Sequence, residues 1–85
     1  MNELYELVLY YYPACPYCRK VTRFIDKHDF DIELKNINQD PEAEKTLIEV
    51  GGKRQVPCLF INGEPMYESD DIIRWLDQNM IKNDN

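Results

Sequence analysis

Leu7-Val8-Leu9-Tyr10-Tyr11-Tyr12 is apolar at every position. A run apolar on both faces predicts a central, buried strand over roughly residues 5–12. The period then changes. Pro16 suits a first helical position, where its missing N–H costs nothing, and Cys18, Val21, Phe24, Ile25 and His28 recur at three- and four-residue spacing. That spacing predicts a helix with this stripe facing the core. Phe30-Asp31-Ile32-Glu33-Leu34-Lys35-Asn36-Ile37 alternates with period two, as a half-exposed strand at or near a sheet edge does.

Asn38-Gln39-Asp40-Pro41 reads as a turn into a second helix, with Asp40 as N-cap and proline in the first turn. Ala43, Leu47 and Val50 supply a narrow apolar seam, and Gly51-Gly52 ends the helix. Beyond the loop 51–55, Val56 to Ile61 and Glu64 to Tyr67 flank Asn62-Gly63, a strong hairpin signal. Pro57 belongs at the start of its strand, since inside a central strand it would remove a ladder hydrogen bond. Ser69 reads as the N-cap of a last helix, with Asp70 and Asp71 in its first turn. Ile72, Ile73, Leu76 and Met80 form its buried face, with Trp75 in a packing role. Ile81 to Asn85 reads as a frayed polar tail. The predicted order is β-α-β-α-β-β-α, an α/β chain whose first two strands run parallel through a right-handed crossover.

Composition narrows this picture. With 85 residues there is room for one domain spanning 1–85 and a modest core. A net charge of −6 argues against nucleic acid or an anionic membrane as partner. No stretch approaches the roughly 18 apolar residues of a membrane span. The acidic start Met1-Asn2-Glu3-Leu4-Tyr5-Glu6 lacks the basic leader of a signal peptide, so a cytoplasmic protein is expected. Basic residues cluster nonetheless, as Arg19, Lys20 and Arg23 after the cysteine pair and as Lys53 and Arg54 before Val56-Pro57. They read either as a solvated face or as a positive rim for an anionic ligand. The lone His28 fits a solvated or dipole-compensating place at a helix end.

The candidate chemistry lies in Cys15-Pro16-Tyr17-Cys18, where the first strand meets the first helix. Unsatisfied N–H groups and a positive dipole at a helix start favour thiolate over thiol. A free thiol is only about 3% ionised at pH 7, whereas one with a pKa lowered to roughly 5 is almost fully ionised. A second cysteine with two residues between is near enough to break the mixed disulfide formed by the first. The remaining Cys58 reads as a small buried strand residue or as a third reactive thiol. Three thiols and one distant histidine lack a fourth zinc ligand, so no metal is expected.

The element order and the cysteine pair resemble the thioredoxin fold, a four-stranded mixed sheet with helices on both faces, and the motifs resemble glutaredoxin. Cys15-Pro16-Tyr17-Cys18 is similar to that family's dithiol motif, Val56-Pro57 to its cis-proline loop, and Ser69-Asp70 to its glutamyl-binding step. Glu68-Ser69 is also similar to the Glu/Gln-Ser pair of the glutathione-binding domain of glutathione transferases. Tyr12 stands where many members carry Lys or Arg, and Tyr67-Glu68 replaces their glycine pair.

The resemblance implies a glutathione-dependent thiol–disulfide oxidoreductase acting on protein disulfides and protein–glutathione mixed disulfides. Cys15 is then the nucleophile and Cys18 the resolving thiol, together forming the redox-active disulfide. Glutathione as co-substrate is received by Tyr17, Arg54, Val56, Pro57, Glu68, Ser69 and Asp70, with Arg54 on its glycyl carboxylate. A monomer without nucleic-acid or membrane partners is expected. The alternatives are a thioredoxin-like electron donor, a transferase-like domain that conjugates glutathione, and an iron–sulfur carrier.

Overall fold

A computed structural model describes residues 5–81. The first four residues and the tail from Lys82 onward lie outside them. The elements are β1 (Leu7–Tyr11), α1 (Pro16–His28), β2 (Glu33–Asn36), α2 (Pro41–Gly51), β3 (Cys58–Ile61), β4 (Glu64–Tyr67) and α3 (Ser69–Met80). They form one sheet in the order β2-β1-β3-β4, with β1 parallel to β2 and antiparallel to β3. This is the expected thioredoxin-like arrangement.

Strand β1 is apolar throughout because its two faces serve two cores. Leu7 and Leu9 join Val21 and Ile25 of α1, Leu59 of β3, and Ile72 and Leu76 of α3. Tyr10 turns to the opposite face, where Ala43 and Leu47 of α2 pack with Ile37, Cys58 and Phe60. Alternate residues of a strand point to opposite sides, so one strand anchors the helices of both layers.

The short β2 lies at the edge, as its alternation predicts, but begins later than the pattern suggests. Asp29 caps α1 in the left-handed region (φ 56), and the N–H of Phe30 still bonds Ile25 O at 3.1 Å. The Phe30 ring stacks on His28, 5.4 Å between centroids. Phe30 therefore belongs to the end of α1. Leu34, 43% exposed, is left uncovered at the edge.

Asp40 caps α2 as expected, its carboxylate accepting from the N–H groups of Glu42 (3.1 Å) and Ala43 (3.2 Å). The seam of α2 differs from the sequence reading, since Val50 is 51% exposed. Gly51 takes the inward place after Ala43 and Leu47, continuing the four-residue step. A Cβ on Gly51 would collide with the Tyr67 hydroxyl, so only glycine fits there with Tyr67 in place. That hydroxyl donates to Lys53 O at 3.3 Å, and Lys53 Nζ lies 4.6 Å above the Tyr67 ring.

Asn62 and Gly63 take φ of 52 and 87, making the turn between β3 and β4. Pro65 is tolerated because β4 is the other sheet edge. Trp75 packs at the rim of the α1/α3 core, edge-on to Tyr5 at 4.9 Å. Ile73 and Met80 are likewise only partly buried. Among the described residues no helix is long and apolar enough to cross a membrane.

Candidate active site

Cys15 is the N-cap of α1, extended (φ −79, ψ 120), with Pro16 in the first turn. Its N–H bonds Tyr12 O at 3.2 Å, closing the turn that leaves β1. Its Sγ accepts the N–H of Cys18 at 3.3 Å. Such a donor, at the positive end of a helix dipole, holds the sulfur more strongly as negative charge develops on it.

The other thiols differ in burial. Cys15 retains a little exposure, whereas Cys18 and Cys58 have none. Burial pushes the Cys18 thiol up to about 12, against a backbone hydrogen bond at Tyr12 and with added repulsion from Cys15. Burial likewise pushes Cys58 up to about 11, partly offset by the Met66 backbone and by Lys53 nearby. Both remain thiols at neutral pH.

Two consequences are measurable. Brief treatment of the reduced native protein with iodoacetamide at pH 7 is expected to label Cys15 alone by peptide mapping; labelling of Cys58 at a similar rate would contradict it. Stability is also linked to pH. Cys18 and Cys58 hold their protons more tightly folded than at their ordinary value of 9.0. Their contribution is therefore complete below pH 9 and is lost as pH rises through 11 to 12. The melting temperature should decline above about pH 9, and less steeply in Cys58→Ala.

Beside this turn lies a cavity of about 470 Å³. Helix α1 contributes Tyr17 and Lys20, the loop before β3 contributes Gln55, Val56 and Pro57, and the start of α3 contributes Glu68, Ser69 and Asp70. The Val56-Pro57 peptide is cis, as the resemblance implies. Ser69 is the first residue of α3 and is buried; the N-cap is Glu68, at φ 77. The expected serine cap is therefore displaced by one residue. Glu68 makes no side-chain capping bond, unlike Cys15 and Asp40. The first N–H groups of α3 are thus left uncapped by a side chain, in the wall of the cavity.

Six of the seven predicted ligand residues line this cavity. Arg54 does not: Nε bonds Glu44 Oε2 and a terminal nitrogen reaches Asn38 Oδ1 at 3.0 Å. Gln55 and Lys20 also line the cavity; the sequence singled out Lys20 only within a possible positive rim and Gln55 not at all. Lys20 Nζ bonds Asp70 Oδ1 at 2.7 Å across α1 and α3, holding the Asp70 carboxyl below its usual range. The available signal was the three-residue step from Tyr17 to Lys20, which puts both on one helix face.

The family model named Glutaredoxin matches residues 7–66. The chain is 35% identical over 77 residues to Glutaredoxin 1 of Rickettsia prowazekii, covering 85% of this chain and 80% of that one. It superposes on a wheat glutaredoxin with a TM-score of 0.66 at 26% identity, covering 87% of this chain and 72% of that one. It also superposes on the Omega 3C glutathione transferase of Trametes versicolor with a TM-score of 0.77 at 22% identity, over 94% of this chain and 35% of that one. That last likeness is one of fold. With a family match across most of its length and a cysteine pair at the head of α1, the chain belongs to the glutaredoxin family and is a thiol–disulfide oxidoreductase.

Proposed function

We propose that this protein uses glutathione to reduce protein–glutathione mixed disulfides and protein disulfides through Cys15 and Cys18. The observation that carries the reading is convergence: three segments distant in sequence close one cavity beside the Cys15 turn, with helix N–H groups and two acids at one end. Glutathione is a γ-linked tripeptide with an amino-acid head. Its α-carboxylate suits the N–H groups of α3, its α-ammonium suits Glu68 or Asp70, and its cysteinyl unit lies along Val56-Pro57 against Tyr17. Arg54 is committed to Glu44 and Asn38, so the glycyl carboxylate falls to Gln55, with Arg54 able to join only by leaving those partners.

In the first step the Cys15 thiolate attacks the glutathione sulfur of the mixed disulfide. The Cys15–glutathione bond forms, the old S–S bond breaks, and the protein thiolate leaves to take a proton. A second glutathione thiolate then attacks the bound glutathione sulfur, releasing oxidised glutathione and the Cys15 thiolate. The net exchange consumes one free glutathione and the glutathionylated protein and yields the protein thiol and oxidised glutathione, the incoming thiol's proton ending on the protein thiol. With a protein disulfide as substrate, the Cys15 thiolate opens it to a Cys15–protein mixed disulfide. Cys18 then attacks Cys15 Sγ, its proton passing to the leaving protein thiolate, and two glutathiones reduce the Cys15–Cys18 disulfide and leave as oxidised glutathione.

The test follows oxidised-glutathione production, coupled to NADPH oxidation by glutathione reductase, on a glutathionylated peptide and on a protein disulfide. The wild type should turn over both. Cys18→Ser should keep peptide deglutathionylation within a few-fold and lose most protein-disulfide reduction. An inactive wild type would overturn the reading.

A further inference from the structure

The cavity is built for an anionic peptide, yet its lining carries two acids and a single cation, Lys20. That cation is already paired, Nζ to Asp70 Oδ1 at 2.7 Å, across the mouth between α1 and α3. The basic pair ahead of Val56-Pro57 is engaged elsewhere. Arg54 is held by Glu44 and Asn38, Lys53 lies over the Tyr67 ring, and position 12 is tyrosine.

An ammonium beside a carboxylate is the mirror of an amino-acid head, which carries both charges on one carbon. Such a head satisfies both protein groups at once if each changes partner. Lys20 and Asp70 are about half and three-quarters exposed, so parting them costs little.

We propose that Lys20 is a specificity-determining residue for the amino-acid head of the co-substrate, engaged by partner exchange. Lys20 leaves Asp70 for the ligand α-carboxylate while the ligand α-ammonium takes Asp70. The pair keeps two like-charged acids from repelling the α-carboxylate in the empty cavity, and it selects a ligand end that carries both charges. The proposal rests on the glutathione reading given above.

The experiment combines residue and ligand truncation. The peptide is modified either with glutathione or with its analogue lacking the α-carboxylate, 4-aminobutyryl-cysteinyl-glycine, and turnover is measured with Lys20→Gln beside the wild type. For the glutathionyl peptide, Lys20→Gln should raise KM roughly fivefold with kcat within twofold, as expected for one exposed charge pair. For the analogue it should change KM by less than about twofold, because its partner is already missing. Equal penalties on both substrates, or none on either, overturn the proposal and leave the glutathione reading standing. If Lys20 only ties the helices, the melting temperature falls and KM stays unmoved, which also overturns it. A wild type inactive on glutathionyl peptide removes both readings together.

Discussion

Cys15→Ser will lose at least about a thousandfold in glutathione-coupled turnover, because a hydroxyl lacks the nucleophile that opens a disulfide. The substitution separates chemistry from folding. The Cys15 side chain caps α1 by accepting the Cys18 N–H, and serine is among the best N-cap residues. The variant should keep its circular dichroism spectrum and its melting temperature within a few degrees, while rates on the glutathionylated peptide and on the protein disulfide fall together. Residual activity within tenfold of wild type would show that another thiol opens the substrate. The candidates are then Cys18 and Cys58, both fully buried and both with thiol pKa values raised.

Leu59→Ala is expected to be the most damaging single core truncation. Leu59 has no exposure and stands in β3, paired with Leu9 on one side and Met66 on the other. Its side chain packs in the cluster that joins α1 and α3 to the sheet. Removing it leaves a void that flanking strands cannot close, at a cost of about 3 kcal/mol. A chain of 85 residues is stable by roughly 4–13 kcal/mol in all, so the loss is a large part of the total. The melting temperature should drop by roughly 12–24 °C. Leu34→Ala is the control, since that side chain is 43% exposed on the edge strand and should cost less than about 1 kcal/mol. Thermal unfolding of both decides it, and similar losses would mean that the core is not centred on β3.

These contrasts show what the sequence made legible. Elements governed by local rules could be read directly: the doubly buried β1, the Asp40-Pro41 helix start, the Asn62-Gly63 turn and the cysteine pair at the head of α1. Most of the site was also visible, because Tyr17, Val56, Pro57, Glu68, Ser69 and Asp70 lie in recognisable motifs and do line one cavity. What stayed hidden depends on neighbours distant in sequence. Periodicity favoured Val50 over Gly51 for the α2 seam because it scores apolar side chains and is blind to the space claimed by Tyr67. Arg54 looked available until Glu44 and Asn38 closed on it. Lys20 read either as a solvated helix residue or as part of a positive rim, and only the packing of α3 shows Asp70 as its partner. The start of α3 falls one residue early because Glu68 adopts a positive φ (77) that its side chain gives no reason to expect.

The Tyr67 hydroxyl, reaching past Gly51 to the carbonyl of Lys53, acts as a tether between the sheet and the segment that carries Gln55, Val56 and Pro57. One wall of the cavity is thereby referenced to β4, whose next residues, Glu68 and Ser69, begin the opposite wall. The width of the cleft is thus measured out along one short stretch of chain, from Tyr67 to Ser69. A side chain at Gly51 would displace the tyrosine that sets this spacing, which makes a residue outside the cavity lining one of the determinants of its gauge.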